Sequence, residues 1–104
     1  MAVARVAVWS ALAPHGAVAE RLGLATVDPL AGDLAEYLDS WSEGAGAAVA
    51  FEVSGTQPGL SAALAALAAR GRLVVVGIHA EPRQVDLHRI FWRELSVVGA
   101  RVYR

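Results

Sequence analysis

The 104-residue chain is 56% hydrophobic and 18% charged, a composition that excludes a disordered segment and suits one small domain with a single core. Its formal net charge is −1 and its nine basic residues, all arginine, are scattered along the chain, which argues against a nucleic-acid-binding surface. The absence of cysteine excludes disulfides, thiolate chemistry and cysteine-ligated zinc, and it favours a reducing compartment, by default the cytoplasm.

The first part of the chain has the pattern of a strand, a helix and a second strand. We predict a strand over Arg5–Trp9, a helix through "AVAERLGL" that ends at Gly23, and a short strand over Ala25–Val27. The apolar start is short and is interrupted by Arg5, so we expect neither a membrane-spanning helix nor a signal peptide.

The segment "DLAEYLDSW" begins with Asp33 and has Glu36 three residues later, the pattern of a capping box. It predicts a helix that ends near Trp41. The loop "EGAGA" then leads into a strand predicted over Ala48–Val53.

The second half continues the alternation of helices and strands. Thr56 is expected to cap a helix that has Pro58 in its first turn and runs through "LSAALAALAAR" to Gly71. The β-branched run "RLVVVGI" predicts a buried strand. Asp86 is expected to cap a short helix, "LHRIFWRE", before a last strand over Leu95–Tyr103.

This alternation predicts an α/β fold with a mostly parallel sheet of about five strands and flanking helices. In open parallel sheets, ligands bind at the carboxyl ends of the strands. Three predicted strand ends carry a glycine there: Val53–Gly55, Val76–His79 and Val98–Ala100. Such glycines allow a flat ligand to approach the backbone, or they simply form turns, and both interpretations stay open.

Several enzyme classes are disfavoured by the residues that the chain lacks or spaces wrongly. Without lysine it cannot be a P-loop nucleotide hydrolase of the usual type or a receiver domain. The three histidines, at positions 15, 79 and 88, form no i, i+4 pair with another histidine or a glutamate, so we predict no metal site. The serines lack the G-x-S-x-G pattern of a hydrolase nucleophile.

The combination of "FEVSG" before a helix, "GRLVVVGI" after it and "FWRELSVVGA" at the end is specific. It resembles the second half of the nucleotide-binding domain of zinc-dependent medium-chain alcohol and polyol dehydrogenases, particularly the butanediol and threonine dehydrogenase branch. The likeness extends more weakly back to Arg5. It implies a truncated Rossmann-like domain over residues 1–104 with its first βα unit missing, and an oxidoreductase lineage.

The resemblance also implies NAD or NADP as the cofactor, a small alcohol as the substrate, and zinc in complete family members. In that family the strand ends contact the nicotinamide half of the cofactor largely through backbone groups. The cofactor-contacting positions so implied are Ser10, Val53, Ser54, Gly55, Val76, Gly77, Ile78, His79 and Ala100. Ser10 stands where the family usually has an acidic residue for the adenosine ribose, and no arginine follows it to support NADP.

Two further side chains need separate expectations. Glu52 is interpreted as a structural carboxylate rather than a ligand contact, because buried acids are usually satisfied by nearby donors. His79 is expected to lie at the rim of the site without a catalytic role, because the sequence shows no acidic partner for it.

The chain also departs from the family. It has no zinc ligands and no G-x-G-x-x-G turn, which holds the cofactor pyrophosphate in that family, so we expect it to be inactive by itself. The alternative is a non-catalytic α/β remnant whose sheet edges serve association, including pairing of two copies. In the strand order 3-2-1-4-5-6 the missing strand would separate Arg5–Trp9 from Ala48–Val53, and we expect these two strands to pair and close the sheet.

Overall fold

The structure is a computed structural model that describes residues 7–9, 21, 25–27, 40 and 42–101. The chain divides into two compact units, Met1–Tyr37 and Leu38–Arg104. Of the two helices predicted before residue 42, only Arg21 and Ser40 are described, and both are helical. Ser10 lies outside the described residues. Within the described part of the chain, no helix is both long enough and apolar enough to cross a bilayer.

The first unit contains two short strands, β1 (Ala7–Trp9) and β2 (Ala25–Val27). They pair in parallel, with Ala7 opposite Ala25. Both strands were predicted from the sequence, and their parallel direction agrees with the helical segment expected between them.

The second unit is a three-stranded parallel sheet with two helices. Its elements are β3 (Ala47–Glu52), α1 (Gln57–Ala65), β4 (Leu67–Val75), α2 (Leu87–Trp92) and β5 (Ser96–Gly99), and the strand order is β3-β4-β5. The predicted α/β class with parallel strands is confirmed.

The starts of both helices follow their predicted caps. The Thr56 hydroxyl accepts a hydrogen bond from the Gly59 N–H at 3.1 Å, and Pro58 lies in the first turn of α1. The Asp86 carboxylate accepts one from the Arg89 N–H at 3.0 Å. Each cap satisfies a backbone donor that the helix itself leaves free.

The predicted end of α1 at Gly71 is wrong, because the helix ends at Ala65 and β4 begins at Leu67. The Ala47 N–H donates to the Ala66 carbonyl at 2.8 Å, so the chain already lies beside β3 at that point. The ladder is irregular before Val49. Helix propensity of the alanine-rich run is therefore overridden by strand pairing.

The described core of this unit lies where α1 and the end of α2 meet the sheet. Its buried hydrophobic residues are Leu60, Leu64, Leu67, Leu73 and Leu95. Leu60 and Leu64 lie four residues apart on one face of α1, which places that face against the sheet.

The expected continuous sheet is not what the described strands form. Their ladders make two sheets, β1-β2 and β3-β4-β5, so the predicted pairing of β1 with β3 is wrong for this part of the chain. In the family strand order the two strands are not neighbours, since another strand lies between them.

Candidate functional site

The carboxyl ends of the three strands of the second unit meet at one edge. Glu52 pairs with Val75 and Val75 pairs with Gly99 in the parallel ladders, and the Ala100 N–H donates to the Val75 carbonyl at 3.0 Å. The predicted alignment of the three glycine-containing strand ends is therefore confirmed. We call residues 53–55, 76–79 and 99–100 the rim.

Two of the rim glycines are required by contacts between the turns themselves. Gly55 has a φ of 69°, and a Cβ there would collide with the carbonyl oxygen of Ile78. A Cβ on Gly77 would lie 2.6 Å from the Gly55 nitrogen and 3.0 Å from a Glu52 carboxylate oxygen. These glycines let the two turns pack closely, which agrees with the interpretation that they form turns rather than leave room for a ligand.

Gly99 differs from the other two rim glycines. A Cβ added to it would meet no atom of the described residues within 4 Å. It ends β5 beside Val75, so open space lies next to the backbone at the edge where a ligand is expected.

Glu52 is the buried acid of the site, with 2% of its surface exposed. Its Oε1 accepts hydrogen bonds from the Ser54 hydroxyl at 2.7 Å and from the Gly55 N–H at 2.8 Å, and its Oε2 lies 2.6 Å from His79 Nε2. Burial acts to raise the pKa of Glu52, but the hydrogen bonds from His79, Ser54 and Gly55 together hold that pKa below its ordinary value. The interpretation of Glu52 as a structural carboxylate with satisfied oxygens agrees with this geometry.

The expectation that His79 lacks an acidic partner is wrong. The same imidazole that faces Glu52 accepts a hydrogen bond at Nδ1 from Arg83 Nε at 3.1 Å, and Arg83 Nη2 donates to the Gly55 carbonyl at 2.9 Å. Sequence reasoning missed the pair, although Glu52 ends one strand and His79 follows the neighbouring strand by a few residues. Their meeting follows from parallel pairing, which brings both strand ends to one edge.

The Gln57 side chain holds the loop between β4 and α2 by two hydrogen bonds. The Gln57 side-chain amide donates to the Gln84 carbonyl and accepts from the Gln84 N–H, each at 2.8 Å. The backbone N–H and carbonyl of Gln84 are thereby both bound to the first turn of α1. Sequence reasoning missed this contact because the two residues are 27 positions apart and neither belongs to a local motif.

The rim brings together every predicted cofactor-contacting residue of the second unit. Val53 and Ile78 are 70% and 85% exposed, and Ser54 and Ala100 are also exposed. His79 is enclosed by Glu52 and Arg83 rather than free to overhang the edge. The rim is thus lined by the backbone at Gly99 and by the exposed apolar side chains of Val53 and Ile78.

The described residues do not fit zinc. The chain has no cysteine, and no three histidine or acidic residues of the described ranges lie close enough to hold a metal ion.

Comparison with known proteins places these features in a family. The family model described as zinc-binding dehydrogenase matches residues 1–104. The chain is 45% identical over 85 residues to 2-dehydro-3-deoxy-L-galactonate 5-dehydrogenase of Pseudoalteromonas atlantica, a match that covers 82% of this chain and 25% of that protein.

Solved structures give the same result. The chain is similar to 2R,3R-butanediol dehydrogenase from Bacillus subtilis, with a TM-score of 0.87, 29% identity, and coverage of 96% of this chain and 29% of that one. It is also similar to a zinc-binding dehydrogenase from Sinorhizobium meliloti bound to NADP, with a TM-score of 0.78, 27% identity, and coverage of 92% and 30%. The chain spans about a quarter of the length of the curated relative and under a third of these structures.

Proposed function

The chain belongs to the zinc-binding dehydrogenase family, and from that premise we propose that its rim is the nicotinamide-facing part of an NAD(P) site in an alcohol or polyol dehydrogenase. The observation that carries the proposal is the meeting of three strand ends in register at one edge, with open space beside Gly99. The relatives already described are named as dehydrogenases of 2-dehydro-3-deoxy-L-galactonate and of 2R,3R-butanediol, and one structural neighbour holds NADP.

The proposed contacts are divided between backbone and side chains. The backbone at Gly99 and Ala100 would approach the face or edge of the nicotinamide ring, and Val53 and Ile78 would cover it with apolar surface. Ser54, Gly55, Val76, Gly77 and His79 form the turns that hold these groups in place. A bound nicotinamide supplies the hydride acceptor, while the residues of this chain bind and orient it.

The proposal leaves the rest of the dehydrogenase site to residues outside this set. Neither a zinc site nor a glycine-rich phosphate turn lies within the described residues, so the rim binds one end of the cofactor only. We therefore propose that the 104-residue chain does not catalyse alcohol oxidation unless it is joined to, or complemented by, the remaining parts of a dehydrogenase.

Binding of NADH to the 104-residue chain tests the proposal. Dinucleotides gain much of their affinity at the phosphate turn, so we expect a dissociation constant in the millimolar range or weaker, equivalent to about 4 kcal/mol of binding free energy or less. Titration calorimetry measures it. A micromolar dissociation constant would contradict the proposal that the chain binds only the nicotinamide end of the cofactor, because the rim alone offers too few contacts for that affinity.

The alternative is a non-catalytic module that associates through its sheet edge. Val97 and Val98 of the edge strand β5 are 42% and 41% exposed, and apolar edge strands favour pairing with another chain. Sedimentation equilibrium of the wild-type chain and of Val97→Lys separates the two hypotheses. A stable oligomer that the lysine dissociates, together with no response to NADH, would favour the module.

A further inference from the structure

A ring of hydrogen bonds links the turn after β3 to the turn after β4. It passes from the Glu52 carboxylate to His79, from His79 to Arg83, and from Arg83 to the carbonyl of Gly55. The Gly55 N–H closes the ring by donating to Glu52 Oε1 at 2.8 Å. The backbone N–H and carbonyl of Gly55, whose φ is positive, are thus both held by side chains.

The partners of His79 assign its protonation state. A guanidinium only donates hydrogen bonds, so His79 Nδ1 accepts from Arg83 and carries no proton. The carboxylate of Glu52 only accepts, so the proton must lie on Nε2. The neutral Nε2–H tautomer is the one form that satisfies both neighbours. The other tautomer would place two acceptors together at Glu52, and the imidazolium would place two N–H groups together at Arg83.

Glu81 is a further charged neighbour of Arg83, and it contributes little to this ring. Glu81 Oε1 lies 3.6 Å from Arg83 Nη1, and the Glu81 side chain is exposed. An exposed pair at this distance is weak. Glu81 therefore serves as a matched acidic control that touches Arg83 outside the ring.

We propose that Glu52, His79 and Arg83 form a positioning relay that fixes the backbone of the rim, with His79 as the neutral Nε2–H tautomer. The relay holds Gly55 against Ile78, and it sets the position of the exposed Val53 and Ile78 side chains on the two turns. Its use in cofactor binding rests on the proposed function of the rim. His79 is here a positioning residue and touches no reacting atom.

The tautomer is tested by nitrogen NMR on the 104-residue chain carrying His15→Gln and His88→Gln, which leave His79 as its only histidine. We expect one protonated and one unprotonated ring nitrogen, with the proton on Nε2. Glu52→Gln keeps an oxygen acceptor for Ser54 and Gly55 but presents an N–H to Nε2 while Arg83 still donates to Nδ1, so no tautomer satisfies both neighbours and the ring-nitrogen chemical shifts should change. A proton on Nδ1 in the parent chain, or an unchanged pattern in Glu52→Gln, would overturn the relay.

Positioning is tested by amide hydrogen exchange at Gly55. Glu52→Gln and Arg83→Lys should each accelerate this exchange by about tenfold, since each removes a bond of the ring, while Glu81→Gln should leave it unchanged. Leu73, in the centre of β4, reports that the sheet is still folded. If Glu52→Gln does not fold, Arg83→Lys decides the question, because it keeps the charge and loses the two-pronged geometry. Unchanged exchange at Gly55 in folded Arg83→Lys would refute the positioning role.

Adding NADH to the same samples separates this proposal from the proposed function. If NADH changes the chemical shifts of the rim amides, and these changes are smaller in Arg83→Lys but the same in Glu81→Gln, both proposals are supported. If the tautomer and exchange rates are as predicted but NADH shifts no rim amide, the relay is supported and the cofactor site is not. Equal NADH shifts in the parent chain and in Arg83→Lys would support the site and refute the relay's use in binding.

Discussion

Gly99 and Gly77 offer a paired test of which rim backbone is open to a ligand. Both glycines lie at strand ends of one edge, yet an added Cβ meets nothing within 4 Å at Gly99 and lies 2.6 Å from the Gly55 nitrogen at Gly77. We therefore expect substitution at Gly99 to affect ligand binding without affecting the fold. Substitution at Gly77 should affect the fold first.

The expected magnitudes follow from those contacts. At Gly77 the crowded atoms include the Gly55 nitrogen and the Val53 carbonyl carbon, which are backbone. The Gly77 N–H itself donates to the Glu52 carbonyl at 2.9 Å, so the two turns cannot easily move apart. Overpacking of this kind costs about 1–3 kcal/mol of unfolding free energy for Gly77→Ala. At Gly99 the space is empty, and Gly99→Val should stay within about 0.5 kcal/mol of the parent chain. A valine side chain placed where a ring should lie should weaken nicotinamide binding by about tenfold or more.

Urea unfolding followed by circular dichroism measures the first quantity, and NMR titration with reduced nicotinamide mononucleotide measures the second. The reasoning is refuted if Gly99→Val binds the mononucleotide as the parent chain does. It is also refuted if Gly77→Ala is as stable as the parent chain, since the two turns would then not be packed as the structure has them.

Two other predictions concern activity and acid stability. The isolated chain should give no alcohol-dependent reduction of NAD, with or without added zinc, and turnover of a secondary alcohol above a heat-killed control would contradict this. Because the pKa of Glu52 is held below its ordinary value of 4.5, its contribution to stability is complete above that pH and is lost as the pH falls through the lower, folded-state value. Glu52→Gln should therefore lose about 1–3 kcal/mol of unfolding free energy at pH 7, because it weakens hydrogen bonds to a charged group, and a smaller amount in acid. A loss that did not depend on pH would contradict the assignment.

The features predicted correctly from the sequence depend on local chemistry. Thr56 and Asp86 carry the side-chain oxygens that helix starts require, and both caps form as expected. The run predicted as a buried strand forms the end of β4, which pairs with both β3 and β5; Leu73 is buried there, whereas Val74 and Val75 are half-buried. Parallel pairing then follows, and with it the meeting of the three glycine-containing strand ends.

The features missed depend on contacts between distant parts of the chain. The end of α1 is set by pairing of Ala47 with Leu67, which no propensity of the alanine-rich run reveals. The partners of His79 lie 27 residues before it and four residues after it. Both ring nitrogens of His79 therefore have hydrogen-bond partners that its sequence neighbourhood does not reveal. The same contacts explain Gly55 and Gly77 as packing requirements of the turns, one of the two interpretations that the sequence left open, whereas Gly99 fits the other.

The most direct test of the proposed half-site divides the cofactor into its two ends. The chain is labelled with ¹⁵N and titrated separately with reduced nicotinamide mononucleotide and with adenosine monophosphate. We predict that the nicotinamide half shifts the amides of Val53, Ile78, Gly99 and Ala100, and that the adenosine half leaves them unchanged. Equal shifts from both halves, or nicotinamide-induced shifts confined to the small cavity beside Leu60, Gln84 and Arg89, would contradict the proposal.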